Sequence, residues 1–270
     1  MIWSRSASGW PMGTPPRAVS DLCPSPRGGG VLGTWDQVAG QDQAVREIRA
    51  GLARGGGGRA WRIIGPSGSG KTTLARLIAA EGATEFGLYE LDAGSVTPAK
   101  LREVERGYAC RALCSPGIAV IVNEFHRLRR DTVAALLDVL ERLPEYVVWI
   151  FTSTHTGQAS LFEDDVAGDC APFLSRCQLV ILEDGPESRR ALAVRAKTVA
   201  MKAGCDGLPE QEYIAAMDGC NGNMRALLQR VESGQLNRMA KIRAELQRPL
   251  GQQEPRRREQ LQAQLAQMGG

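Results

Sequence analysis

One octapeptide constrains this chain more than any other feature: GPSGSGKT, from Gly65 to Thr72. The pattern G-x-x-x-x-G-K-[ST] carries weight only between an apolar strand and a helix. Both flanks are present, with Trp61 to Ile64 reading as a strand and TLARLIAAEG as a helix that closes at Gly82. Gly65, Gly68 and Gly70 let the backbone turn until its N–H groups point at phosphate oxygens, and the helix N-terminus adds positive potential. Pro66, Ser67, Ser69 and Thr73 complete the candidate cradle. Lys71 is placed to reach the β- and γ-phosphates of a nucleotide, and Thr72 to offer a hydroxyl to Mg²⁺. A glycine-rich turn with a chance lysine is the alternative, and the strand–turn–helix context argues against it.

The surrounding pattern predicts an α/β fold: a P-loop NTPase core with a parallel five-stranded sheet flanked by helices, then a small all-helical lid. After the cradle, FGLYELDAG reads as a strand and TPAKLREVERGYACRAL as a helix with Thr97 as N-cap. GIAVIVNEF reads as a strand, RDTVAALLDVLERL as a helix stopped by Pro144, YVVWIFTST as a fourth strand and CQLVILE as a fifth, after an irregular segment. Short apolar strands alternating with amphipathic helices imply a parallel sheet covered on both faces. From Pro186 only helices are predicted. The expected organisation is a flexible arm over 1–33, rich in Gly, Pro and Ser, a core over 34–184 and a lid over 185–234. A basic helical extension over 235–270, read as solvated, completes it, with weak apolar periodicities at Leu236/Met239/Ile242/Leu246 and Leu261/Leu265/Met268.

Composition bounds the function classes. Thirty-three basic against 30 acidic residues leave a net charge of +3, which by itself indicates no partner. No apolar run reaches the ~20 residues of a membrane span, so no membrane is expected, and the first twenty residues lack the apolar core of a secretory signal. Seven scattered cysteines without CxxC spacing read as reduced thiols of a cytoplasmic protein. A zinc site from Cys110, Cys114 and His126 has the wrong spacing.

The strand in GIAVIVNEF runs into two polar residues, Asn123 and Glu124. Lys71 to Asn123 spans one intervening βα unit, which puts these residues beside the cradle at the carboxyl edge of the sheet. There Glu124 can orient an attacking water and accept its proton. Asn123 occupies the position of a Mg²⁺-holding Asp. An amide oxygen is a neutral acceptor, so the expected grip on Mg²⁺ is weakened rather than lost. A strand-end Asn capping the next turn is the other reading.

With the cradle, VIVNEFHRL, FLSRCQLVILE and GCNGNMRALLQ in this order, Trp35 to about Glu232 resembles the AAA+ ATPases. The likeness is to their clamp-loader branch, meaning replication factor C small subunits and bacterial clamp-loader or Holliday-junction-type relatives. The resemblance implies ATP as the nucleotide, with Val38 of WDQVAGQ packed around the adenine. It implies a γ-phosphate-sensing role for Thr154, an arginine finger at Arg176 acting on a neighbouring subunit, and a second sensor at Arg225 on the lid. An ordinary surface arginine is the alternative at Arg176. The resemblance also implies an oligomer with other AAA+ subunits, homo- or hetero-oligomeric, acting on a protein client such as a sliding clamp or helicase. In such rings the helix after Glu124 lines a channel. Arg127, Arg129 and Arg130 at its start are candidates for sequence-independent DNA contact, with a solvated basic helix start as the alternative. Two functions follow: an ATP-hydrolysing remodeller of DNA-bound complexes, or a nucleotide-binding regulatory or scaffold subunit with little turnover.

Overall fold

The structure, a computed structural model, describes residues 34–55, 57–108, 116–154, 171–205, 207–246 and 255–268. The expected N-terminal arm and the Cys110/Cys114 pair lie outside the described residues.

Strands β1 (Arg59–Ile64), β2 (Leu88–Asp92), β3 (Ile118–Asn123), β4 (Val147–Ser153) and β5 (Cys177–Ile181) form one sheet in the order β2-β3-β4-β1-β5. Every pairing is parallel. Strands β3 and β4 are buried along nearly their whole length, as both-face coverage of a parallel sheet requires. Successive side chains alternate between two apolar layers. Ala119 and Ile121 join Leu74 and Ile78 of α2 (Lys71–Gly82) and Ile48 of α1 (Asp42–Leu52). Val120 and Val122 join Leu101 of α3 (Pro98–Gly107) and Leu136 of α4 (Arg130–Glu141) on the opposite face. Thr97 caps α3 as its sequence predicts, its hydroxyl accepting from Lys100 N at 3.2 Å.

The segment before β5 contains a short helix where the sequence suggested irregular chain: α5 (Ala171–Arg176). Its Phe173 is fully buried and packs edge-on against Phe151, ring centroids 4.9 Å apart. The aromatic contact stabilises a helix too short to show its own periodicity. Arg176 is therefore the last residue of that helix, directly before β5.

Beyond β5 the regular elements among the described residues are helices: α6 (Pro186–Lys202), α7 (Glu210–Asp218), α8 (Met224–Glu232), α9 (Gln235–Leu246) and α10 (Pro255–Gln267). Leu192, Ala196, Tyr213, Met217, Leu227 and Leu236 share one apolar cluster. Leu236, Met239 and Ala240 of α9 are buried, so this helix belongs to the packed helical layer and is not the solvated extension that its sequence suggests. Its weak pattern still supplies one continuous apolar stripe. By contrast, α10 stays at the surface among the described residues. No described helix is long and apolar enough to cross a membrane.

The helical layer is tied to the core at Gln41, which is buried. Its amide donates to Glu183 O at 2.9 Å and accepts from Glu183 N at 2.9 Å, joining the segment before α1 to the chain leaving β5. The same amide donates to Ser188 Oγ of α6 at 3.1 Å.

Candidate nucleotide site

The cradle runs from the end of β1 into α2. Gly68 and Gly70 hold φ of +77° and +99°, a region that favours glycine. Gly70 is the N-cap of α2, so the turn and the helix start are one unit. Gly68 is hemmed in as well: a Cβ there would lie 2.1 Å from Asn223 Oδ1, at the start of α8. The helical layer therefore packs directly on this glycine-rich loop.

Lys71 is buried and donates to the carbonyl oxygens of Gly65 at 2.9 Å and Pro66 at 2.7 Å. Burial pushes its pKa below the ordinary lysine range; Glu124 opposes that shift and Arg225 reinforces it. Two cations and one carboxylate thus sense each other across the same space. That space is a cleft of about 730 Å³, lined by Ser67, Gly68, Gly70, Lys71, Thr72 and Thr73, by Glu124 and Thr154, and by Arg225 on α8. Its size suits a small-molecule site.

Glu124 directly follows β3 with a left-handed backbone, φ 55° and ψ 49°, which is uncommon for a residue bearing a side chain. Its carboxylate accepts from Thr154 Oγ1 at 3.2 Å and lies 3.4 Å from His126 Nδ1. His126 Nδ1 also stands 3.0 Å from Ser153 Oγ. Strained backbone held by a ring of polar partners is typical of functional positions.

Asn123 lies at the outer wall of the cradle. Although β4 intervenes between β1 and β3, Thr72 Oγ1 donates to Asn123 Oδ1 at 3.5 Å. Thr152 Oγ1 donates to the same oxygen at 3.0 Å. Thr72 Oγ1 and Asn123 Oδ1, 3.5 Å apart, are oxygen donors of the kind Mg²⁺ takes, with water and phosphate left to complete its shell. Among the described residues no group of three or more His, Cys, Asp or Glu side chains could hold a metal by itself. Sparse protein ligation of this kind is the habit of Mg²⁺.

The remaining sequence candidates fall elsewhere. Val38 is half-buried against the α1–α2 apolar layer and does not line the cleft, while its neighbour Ala39 packs on the helical cluster. Gly65, Pro66, Ser69 and Asn123 support the cleft without lining it. Arg176 is at the opposite edge of the sheet: the adjoining Cys177 pairs with Ala60 near the start of β1, whereas the cradle follows its end. There Arg176 donates to Pro172 O at 2.7 Å and forms an ion pair with Glu141. Arg127, Arg129 and Arg130 are exposed beyond the end of β3 and do not line the cleft; Arg127 stands 3.7 Å from Asp92 and Arg129 3.9 Å from Asp131.

Sequence reasoning missed four residues here: Glu90, His126 as a partner of Glu124, Thr152 and Ser153. Polar residues closing the otherwise apolar β4 were the available signal for the last two. Glu90 accepts from Asn123 Nδ2 at 2.9 Å and from Arg76 of α2, and only the register of β2 on β3 reveals that contact.

Residues 62–164 match the family model described as ATPase family associated with various cellular activities (AAA). The chain carries a AAA domain. Among curated proteins it is similar to DNA polymerase III subunit gamma of Buchnera aphidicola subsp. Schizaphis graminum, 27% identical over 74% of this chain and 58% of that protein. The subunit of the same name from Buchnera aphidicola subsp. Acyrthosiphon pisum is 31% identical over 43% of this chain and 39% of its own length. The chain thus spans between about two fifths and three fifths of the length of the curated relatives it matches. Among solved structures, the Thermotoga maritima RuvB Holliday junction branch migration motor aligns over 74% of this chain and 63% of its own. The TM-score is 0.55 at 17% identity, which shows that the AAA fold is shared.

Proposed function

We propose that the cleft of this AAA domain binds ATP with Mg²⁺ and hydrolyses it, in an oligomer of AAA+ subunits that loads or remodels protein complexes on DNA in a clamp-loader-like manner. One observation carries the reading. Residues from positions 67 to 225 converge on one cleft that presents a phosphate cradle, a carboxylate and a lid arginine. The similarity to DNA polymerase III gamma subunits supports the clamp-loader direction.

On binding, the triphosphate would take over the Lys71 ammonium that now serves Gly65 and Pro66, together with the N–H groups at the start of α2. Thr72 and Asn123 would hold Mg²⁺, which supplies charge neutralisation between the β- and γ-phosphates. Glu124 positions a water and accepts its proton as the water oxygen bonds to the γ-phosphorus and the bond to the β-phosphate oxygen breaks, giving ADP and phosphate. Thr154, already bonded to that carboxylate, orients it and reports on the γ-phosphate. Arg225 approaches the phosphates from α8 and couples the helical layer to the nucleotide.

Arg176 cannot serve the cradle of its own chain from the far edge of the sheet, which supports a finger lent to a neighbour. Val38 lies at the seam between the sheet and the helical layer, consistent with an adenine-side role. Arg127, Arg129 and Arg130 would meet DNA phosphates, and the client is a protein such as a sliding clamp or helicase. A cytoplasmic setting belongs to the same proposal. Asn123 favours a second reading, a nucleotide-binding regulatory or scaffold subunit with little turnover.

The test is the ATPase rate against protein concentration, with and without DNA, for the wild type and Glu124→Gln. A rate that climbs with concentration and disappears in Glu124→Gln bears out the proposal. Tight nucleotide binding with no hydrolysis at any concentration leaves the second reading.

A further inference from the structure

We infer that Glu90 is the positioning residue of the magnesium site, and that it makes Asn rather than Asp the complementary residue at 123. This rests on the nucleotide reading of the cleft. A carboxylate only accepts hydrogen bonds, so the group that Asn123 turns toward Glu90 must be its NH₂. The contact is 2.9 Å, from Asn123 Nδ2 to Glu90 Oε1. That choice leaves Oδ1 facing the other way, toward Thr72 and Thr152, whose hydroxyls donate to it at 3.5 and 3.0 Å. Orientation of the amide is therefore dictated by chemistry, and its oxygen is delivered beside the Thr72 hydroxyl.

Glu90 is itself fixed. Arg76 grips both of its oxygens, Nε to Oε2 at 3.1 Å and Nη2 to Oε1 at 3.2 Å and to Oε2 at 2.9 Å. Arg76 follows Thr72 by one turn of α2, and residues four apart share a helix face. Glu90 pairs in register with Ile121, and Asn123 is two residues further along β3 on the same face. The circuit Thr72–Asn123–Glu90–Arg76 thus returns to the helix where it starts, and the two strand residues are held between its ends.

An Asp at 123 would set one carboxylate against another at the same separation. Like charges in contact repel, and the 2.9 Å hydrogen bond would lose its donor. The usual metal-holding Asp and Glu90 are mutually exclusive in this geometry. Asn123 is the amide half of an amide–carboxylate pair, with the charge placed one residue further from the metal. Outer partners that orient a metal ligand are typically worth roughly 10–100-fold in metal affinity.

The experiment measures equilibrium binding of a fluorescent ATP analogue in Mg²⁺ and in EDTA. It compares the wild type with Glu90→Ala, Asn123→Asp and the Glu90→Gln/Asn123→Asp double variant. In the wild type Mg²⁺ tightens binding. Glu90→Ala and Asn123→Asp each lose roughly 10–100-fold of that tightening, with the thermal unfolding midpoint as the check on folding. The double variant, in which the Gln amide donates to the Asp carboxylate, recovers most of it. A merely structural role for Glu90 would not predict that rescue. Full Mg²⁺ dependence in Glu90→Ala, or tighter Mg²⁺-dependent binding in Asn123→Asp alone, overturns the inference while leaving the nucleotide reading standing. Wild-type binding indifferent to Mg²⁺ overturns it as well. Failure of the wild type to bind the analogue in either buffer overturns the nucleotide reading and the inference together.

Discussion

Arg176→Ala offers the sharpest perturbation, because the fold fixes what it can and cannot do. Cys177 is level with Ala60 and Ile181 with Ile64. At ~3.3 Å per residue, about 13 Å of strand separates Arg176's edge of the sheet from the end of β1, and the cradle begins only beyond it. An arginine side chain does not bridge that gap, so within one chain the substitution leaves the nucleotide site untouched. If the finger acts on a neighbour, its loss costs roughly 10³–10⁵ in turnover. Nucleotide affinity should change far less. The ion pair with Glu141, half-exposed on the Glu141 side, opposes the finger's release by less than ~1 kcal/mol. Subunit mixing is the decisive assay. Arg176→Ala lacks the finger and Glu124→Gln lacks the base, so each is expected to be inactive alone. An equal mixture forms some interfaces that join an intact Glu124 to an intact Arg176. With random association and a finger required in trans, about a quarter of the interfaces are complete, so up to about a quarter of the wild-type rate should return. Wild-type turnover in Arg176→Ala alone, or no recovery on mixing two well-folded, associating variants, would refute the trans assignment.

Three further outcomes follow from the same geometry. Burial pushes the Cys177 thiol up to about 12, with Arg62 pulling weakly the other way. At pH 8 iodoacetamide should label exposed Cys205 and spare Cys177, as peptide mass spectrometry will show; because the unfolded thiol ionises near 9 while the folded one keeps its proton, the denaturant midpoint should fall as pH rises from about 9 toward 12. Asn223 caps α8 by accepting from Ala226 N at 3.1 Å, so Asn223→Ala should cost about 1 kcal/mol in urea unfolding. Replacing Arg127, Arg129 and Arg130 together by Ala should weaken DNA binding uniformly across sequences and lower the salt slope by about 2–3 units; an unchanged slope in a fluorescence titration would remove these residues from the interface.

What could be read from the residues alone was whatever local chemistry dictates. The cradle was legible because Gly68, Gly70, Lys71 and Thr72 act through their immediate backbone, and the sheet because Ile118 to Val122 and Val147 to Phe151 are apolar runs of strand length. The polar end of β3 was legible for the same reason. Glu90 was not, since its meaning depends on which strand lies beside β3 and in what register. Helix α5 escaped notice because its stability comes from Phe173 meeting Phe125 and Phe151, which are distant in sequence. Helix α9 was read as solvated because its stripe of Leu236, Met239 and Ala240 is narrow and set among basic residues, and tertiary packing decided its burial.

All of these expectations depend on nucleotide occupying the cleft between Lys71 and Arg225. Calorimetric titration with a slowly hydrolysed ATP analogue and magnesium measures that directly. The account predicts saturable uptake of one nucleotide per chain by the wild type, weakened roughly tenfold or more in Lys71→Ala, where charged hydrogen bonds to the phosphates are lost. No heat of binding in the wild type, or identical isotherms for the two proteins, would contradict it.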